Sequence, residues 1–210
     1  MLKTSIAILA TAIAGSGEPR FEGRSEPIRG KVEERIVGSS WHPGCPVALS
    51  KLRLLELSHW GFDGEVHRGR LVVHAGHDQE ILAVMKRLFA KRFPIRRIEL
   101  VDRYGADDHR SMNADNTSAF NCRFVAGTER WSMHAYGLAI DINPIENPYV
   151  SGSHVSPPAG AEFADRSRDA EGMIHSGDEV VRAFARKAGW EWGGSWTGAK
   201  DYQHLSADGT

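Results

Sequence analysis

The 210-residue sequence contains only two cysteines, Cys45 and Cys122, and no run of five basic residues. Two cysteines exclude a disulfide-dense mini-protein and a cysteine-rich zinc finger. A formal net charge of −1 and a pI near 6.8 exclude the broad basic surface typical of nucleic-acid binding, so we expect no nucleic-acid partner. Residues other than cysteine must therefore hold any bound metal.

The sequence also lacks an apolar run long enough to cross a bilayer, which needs about 20 residues. The stretch at residues 6–14 follows Lys3 and ends in small residues, and this order is typical of a secretory signal at residues 1–14. A buried N-terminal helix or strand is the alternative. We predict an exported protein with no stable membrane anchor, in which Cys45 and Cys122 either pair or remain two buried thiols.

Length and composition predict one soluble domain with an N-terminal extension. Residues 15–37 are polar, and residues 18–35 carry five acidic and five basic side chains without an apolar period. This pattern predicts a linker or loosely packed arm. The folded domain is predicted at residues 38–206, and the sequence does not predict its oligomeric state.

Within this domain, helices and strands mix without a regular βαβ order, which predicts an α+β fold with a small, largely antiparallel sheet and flanking helices. Residues 143–177 form a long stretch rich in proline and glycine, which predicts either a loop covering a site or a surface insertion. The apolar patterns predict helices at 46–57, 78–93 and 178–188, a hairpin at 65–74 turning at Arg68 and Gly69, and strands at 98–101, 138–142 and 202–205.

Two residues seven positions apart, His134 and Asp141, are the first candidates for chemistry. In a strand at 138–142, Asp141 shares its face with small Ala139, and a turn at Gly137 can fold His134 over that face. An imidazole and a carboxylate placed in this way form two legs of a zinc site.

His204 is the candidate for the third ligand, because catalytic zinc normally keeps three protein ligands and one open position. Asp201, three residues earlier, can accept a proton as a general base. The alternative interpretation makes His134 and Asp141 a hydrogen-bonded pair and Asp201 a turn residue.

Several motifs together resemble the M15 (VanY-type) D-alanyl-D-alanine carboxypeptidase-like metallopeptidases, particularly the branch that includes L-alanyl-D-glutamate endolysins. The resemblance runs from about Gly38 to Ser206. Its motifs are Ser132-x-His134-x-x-Gly137-x-Ala139-x-Asp141, Trp190-x-Trp192-Gly193-Gly194-x-Trp196, Asp201-x-x-His204, the Asn116 to Arg123 stretch, Asp141-Ile142-Asn143-Pro144 with Asn147-Pro148-Tyr149, and Gly38-Ser39-Ser40-Trp41.

The resemblance implies a D-Ala-D-Ala peptidase/hedgehog-like fold and one zinc ion per chain, held by His134, Asp141 and His204. It also implies that Asp201 is the catalytic base and that Arg123 holds the substrate carbonyl and its developing oxyanion. A surface ion pair is the alternative role for Arg123. Leu205 stands where the family usually has an aromatic residue, which changes packing and not ligation.

Other residues carry weaker predictions. We expect Ser132 to bind substrate or orient a ligand, and His154 and His175 to be exposed loop residues with substrate contact as the alternative. Large aromatic residues near a sheet are more often core than groove lining. We therefore predict core positions for the three tryptophans of the second motif, Trp190, Trp192 and Trp196.

The function implied is hydrolysis of peptidoglycan stem peptides, either as a D-Ala-D-Ala carboxypeptidase or as an endopeptidase of the L-Ala-D-Glu type. A non-catalytic module that binds cell-wall peptides on the same fold is the alternative, although it would be expected to lack Asp201 or Arg123. A metal-dependent phosphoesterase is less favoured, because it usually needs more carboxylates for a second metal.

Overall fold

The computed structural model describes residues 18–209, so the predicted signal at residues 1–14 lies outside the described residues. The fold is α+β with small antiparallel sheets, as predicted. The helices are α1 Lys31–Ile36, α2 Asp78–Ala90, α3 Asp108–Asn113 and α4 Glu179–Lys187. The strands are β1 Gly23–Pro27, β2 Leu52–Trp60, β3 Val66–His74, β4 Ala139–Asp141, β5 Tyr149–Ser151, β6 His154–Ser156, β7 Glu191–Trp192, β8 Lys200–Asp201 and β9 His204–Ser206.

The first sheet, in the order β1-β2-β3, divides the core into two clusters. Leu55 and Leu57 of β2 pack on the face that α2 covers. Leu52 and Leu54 pack on the opposite face, in a cluster with Ile36 of α1. The central strand is therefore apolar on both faces.

The predicted helix at 46–57 is wrong for this reason. A strand buried on both faces shows a nearly continuous apolar run instead of alternation, and leucine spacing alone does not separate such a run from a helix. The predicted hairpin at 65–74 is wrong too, because β3 runs straight through Arg68 and Gly69. A Cβ on Gly69 would lie 2.5 Å from the Ile98 Cβ atom, so this glycine permits a close contact rather than a turn. Ile98 itself forms a single bridge with Thr117, not a strand over 98–101.

The interpretation of residues 15–37 as a loosely packed arm is wrong for the part that the structure describes. Residues 23–27 pair with β2 in the register Gly23 opposite Leu57, and Ile36 is fully buried. The segment is polar in sequence because β1 is an edge strand with mostly exposed side chains.

The two amphipathic helices are confirmed with small shifts. Helix α2 ends at Ala90, before Pro94. Helix α4 begins after Asp178, whose side chain accepts hydrogen bonds from the backbone N–H groups of Val180 and Val181. Gly189 follows α4 with a φ of 70°, the left-handed conformation that favours glycine.

Two smaller sheets, in the orders β4-β9-β7 and β6-β5-β8, hold three of the predicted site residues, Asp141, Asp201 and His204. The predicted strand at 138–142 is confirmed as β4, and the one at 202–205 begins later, at His204. The long stretch at 143–177 is not a simple loop, since β5 and β6 form a hairpin within it.

Cys45 and Cys122 form a disulfide with Cα atoms 5.8 Å apart. The bond joins the segment before β2 to the residue that precedes Arg123. No helix within residues 18–209 combines the length and the apolar character that a bilayer crossing requires.

Candidate metal centre

Three predicted ligands meet because of the register between β4 and β9. These antiparallel strands place Asp141 directly opposite His204. His134 lies in the 3-10 turn Met133–Tyr136. Gly137 ends this turn with a φ of 70°, and a Cβ there would lie 2.7 Å from the His74 backbone nitrogen. A glycine is thus required where the chain folds His134 back over β4.

Two imidazole nitrogens and the two oxygens of one carboxylate converge on a common point. His204 Nδ1 lies 2.9 Å from Asp141 Oδ1, His134 Nε2 lies 3.1 Å from Asp141 Oδ2, and the two nitrogens are 3.3 Å apart. A tetrahedron with zinc bonds of 2.0–2.1 Å has edges of about 3.3 Å. The spacing of these atoms therefore fits zinc, as does the donor set of two imidazoles and one carboxylate.

Contacts behind His134 fix its orientation. The Ala119 carbonyl oxygen lies 2.5 Å from His134 Nδ1, and because a carbonyl only accepts, Nδ1 carries the hydrogen and donates it. This leaves the lone pair of Nε2 facing Asp141 and His204, as a metal ligand requires. The Ser132 hydroxyl accepts a hydrogen bond from the His134 backbone N–H at 3.3 Å, so Ser132 holds the turn that carries the ligand.

Asp141 is 5% exposed, and its charge state follows from two opposing effects. Burial alone raises the pKa of its carboxyl group, but the adjacent imidazoles of His134 and His204 outweigh burial and hold that pKa well below its usual range. The carboxyl group of Asp141 is therefore ionised at neutral pH, as a metal ligand would need to be.

Asp201 borders the same centre from β8, which pairs with β5. Its Oδ1 atom is buried and has no hydrogen-bond partner among the described residues. Burial raises the pKa of Asp201 to about 7; His204 opposes this shift, and the charge of Asp141 adds to it. Gly193 allows the close packing, because a Cβ there would lie 2.6 Å from the Asp201 backbone oxygen. A buried carboxyl group with this pKa can gain or lose a proton near neutral pH.

Arg123 lines the same cleft and is held by a residue that the sequence analysis missed. Its Nη2 atom lies 2.8 Å from Oδ2 of Asp108, in the first turn of α3. The Nε atom is buried without a hydrogen-bond partner among residues 18–209. Arg123 therefore does form an ion pair, as its alternative role supposed, but both partners line the cleft. Nothing in the local pattern distinguishes Asp108 from Asp107, the N-cap of α3.

The metal centre opens into a cleft of about 370 Å³. Its walls include Tyr149 and His154 from the β5–β6 hairpin, so the stretch at 143–177 does border the site. Trp190 and Trp192 are core residues as predicted. Trp196 differs from the prediction: it lines the cleft, with its ring centroid 5.6 Å from that of His204. His175 lies outside this lining.

A second group with metal-ligating atoms close together consists of His42, Cys45 and Cys122. Both cysteines are consumed by the disulfide, and a metal needs free thiolates. The centre built from His134, Asp141 and His204 is therefore the metal candidate.

Residues 126–207 match a family model described as D-alanyl-D-alanine carboxypeptidase. The matched segment contains all three candidate ligands and Asp201, while Arg123 lies just before it. The match confirms the resemblance to M15 peptidases over these residues. No curated protein and no solved structure shows a significant match to the chain.

Proposed function

We propose that this chain is an exported, zinc-dependent M15 peptidase that hydrolyses peptide bonds in peptidoglycan stem peptides. The observation that carries the proposal is the convergence of His134 Nε2, Asp141 and His204 Nδ1 within 2.9–3.3 Å. A buried carboxylate oxygen of Asp201 without a partner borders this centre. The resemblance to the endolysin-like branch supports an endopeptidase, and the family model supports a carboxypeptidase.

His134, Asp141 and His204 would hold the zinc ion, and when bound it would supply Lewis acidity, which polarises a carbonyl group and lowers the pKa of water towards neutrality. Asp201 accepts the proton of the attacking water through Oδ1 and later donates it to the leaving amine nitrogen. A pKa of about 7 suits both transfers at neutral pH.

Arg123 has the complementary role on the substrate. As water attacks the scissile carbonyl carbon, negative charge grows on the carbonyl oxygen, and guanidinium N–H groups in the cleft can donate to it. The ion pair with Asp108 holds the guanidinium in the wall of the cleft. Loss of one such donor typically costs about 3 kcal/mol of transition-state stabilisation.

The cleft also contains Arg130, an exposed residue with no ion pair among residues 18–209. A carboxypeptidase must bind the free carboxylate of its substrate, and a stem peptide also carries internal carboxylates. Arginine binds carboxylates with two parallel hydrogen bonds. Arg130 is therefore our candidate for the substrate carboxylate.

The decisive experiment combines metal analysis with the Asp201→Asn variant. We expect about one zinc per chain in both proteins, because Asp201 is not a ligand, and a loss of turnover of at least 10²-fold in the variant, as for removal of a general base. Asp169→Asn is the matched control, since its side chain is 96% exposed. Full activity of Asp201→Asn, or wild-type protein purified without metal, contradicts the proposal.

Mass spectrometry of digested peptidoglycan identifies the bond. Release of terminal D-Ala identifies a carboxypeptidase, and release of a peptide that begins at D-Glu, with L-Ala left on the glycan, identifies an endopeptidase of the L-Ala-D-Glu type. The alternative function, a non-catalytic module that binds wall peptides, predicts unchanged masses together with measurable peptide binding. The presence of both Asp201 and Arg123 in the cleft argues against this module.

A further inference from the structure

A second groove lies on the three-stranded sheet, away from the metal centre. It encloses about 640 Å³ and shares no lining residue with the cleft. Its walls come from β1, α1, β2, β3 and the 3-10 turn Val101–Tyr104. Five arginines line it: Arg24, Arg35, Arg68, Arg70 and Arg103.

Strand alternation explains why these side chains converge. In β3, Arg68 and Arg70 lie on the same face as Val72, which is buried in the cluster beside α1. Leu71 lies on the other face, under α2. The cluster beside α1 covers this face of the sheet only around Val72. The part of the same face that carries Arg68 and Arg70 is open. The groove is this open part.

Positive charge exceeds negative charge in the groove. Glu56 is half-buried and shared, because it pairs with both Arg24 and Arg70. No ion pair within residues 18–209 involves Arg35. Arg68 pairs with Glu22, and Arg103 pairs with Glu99. These pairs are exposed and therefore weak in water, so an incoming anion can compete with the glutamates for the guanidinium groups. Three glutamates line the groove against the five arginines: Glu22, Glu56 and Glu99.

We propose that this groove binds a chain of repeated phosphate groups. Arg68 and Arg70 are two residues apart, about 7 Å along the strand, and Arg24 is two strands from Arg70, about 10 Å. One carboxylate, that of Glu56, reaches both Arg24 and Arg70. Arg68 and Arg103 pair with other glutamates, Glu22 and Glu99, so the arginines offer several separate anion positions that a chain can fill together. A phosphate group offers three acceptor oxygens, so it can bridge two guanidiniums that already share the carboxylate of Glu56.

The inference stands apart from the proposed peptidase activity, because its readout is binding at a groove with different residues. If the chain is the wall peptidase proposed above, the groove would hold the enzyme on a phosphate-bearing polymer while the cleft stays free for the peptide. This consequence rests on the proposed function. Loss of peptidase activity and loss of phosphate binding are then separate results.

The test is isothermal titration calorimetry of the full chain with a linear polyphosphate at several salt concentrations. We expect binding in which log K falls linearly with log salt. The double variant Arg35→Ala/Arg103→Ala removes one arginine from each wall. It should weaken binding about tenfold, as for loss of charge-assisted hydrogen bonds, and lower the salt slope by about two.

The matched control is Arg186→Ala/Lys187→Ala, which removes the same charge from the exposed end of α4 and should change affinity less than twofold. Glu22→Gln should tighten binding, because it removes a negative charge from the groove. Equal weakening in both double variants would reduce the effect to net charge and overturn the proposal. Absence of binding would overturn it as well, and tighter binding of polyglutamate than of polyphosphate would overturn the choice of phosphate.

Discussion

Replacing Glu146 by glutamine should stabilise the protein at alkaline pH and leave it unchanged at acidic pH. Glu146 is 5% exposed. Burial raises its pKa from 4.5 to about 7, and the neighbouring carboxylate of Asp115 adds to the shift. The Oε2 atom has no hydrogen-bond partner among the described residues, and the contact from Arg96 Nη2 to Oε1 is long, at 3.5 Å. The folded protein therefore favours a protonated, neutral Glu146.

The magnitude follows from proton linkage. Between pH 4.5 and about 7, the folded state binds more protons at Glu146 than the unfolded state, so the free energy of unfolding falls as pH rises. One pKa unit corresponds to about 1.4 kcal/mol, so the full shift costs up to about 3 kcal/mol at pH 8 and nothing below pH 4.5. Glutamine stays neutral at every pH, and its amide can donate to Asp115 in place of the carboxylic O–H.

Urea unfolding of the wild type and of Glu146→Gln at about pH 4.5 and pH 8 measures this effect. The difference in unfolding free energy between the two proteins should be near zero at the lower pH and about 2–3 kcal/mol in favour of the variant at the higher pH. Comparison at the same pH cancels other titrating groups, such as His59, whose pKa burial lowers. Glu162→Gln is the exposed control. An equal difference at both pH values would refute the reasoning.

Three further predictions concern the disulfide and the cleft. Because the disulfide closes a loop with a sequence separation of 77 residues, Cys45→Ala/Cys122→Ala should lower the free energy of unfolding by about 4 kcal/mol in urea titrations, and a loss below 1 kcal/mol would contradict the loop-entropy account. Asp108→Ala removes the partner of Arg123 and should lower kcat about tenfold or more with little change in KM. Asp108→Asn keeps an accepting oxygen, so its kcat should fall less. Equal kinetics of the wild type and both variants would show that Asp108 has no role in the site. Arg130→Ala should raise KM about tenfold for a peptide with a free C-terminal carboxylate. If Arg130 binds the terminal carboxylate, the variant should not change KM for the corresponding peptide amide; if it binds an internal carboxylate, KM for the amide should rise as much as KM for the acid. An unchanged KM for the acid rejects both roles.

The sequence predicted the structure correctly where a local pattern is compatible with only one type of secondary structure. The helices α2 and α4 were predictable because their apolar stripes repeat at 3.6 residues and their ends carry proline, aspartate or glycine signals. The convergence of His134, Asp141 and His204 was predictable because their motifs resemble those of a known family. Residue type and spacing alone left a hydrogen-bonded pair of His134 and Asp141 as the alternative.

The sequence was misleading where contacts from distant segments decide the structure. The leucines of β2 are buried on both faces because α1 and α2 cover opposite sides of one sheet. Gly69 lies within a strand because Ile98 approaches it. In both cases the local pattern was ambiguous, and residues that are far away in sequence selected the strand.

The sequence by itself therefore determined the candidate donors for a metal, two helices and the α+β class, since these depend on residue type, motif and short-range periodicity. The tertiary structure alone decided that Asp141 faces His204, that Asp108 holds Arg123, and that a carboxylate of Asp201 is buried without a partner. Those facts depend on strand register and burial, which arise only when segments that are separate in sequence pack against each other, as Asp141 and His204 do across 63 residues.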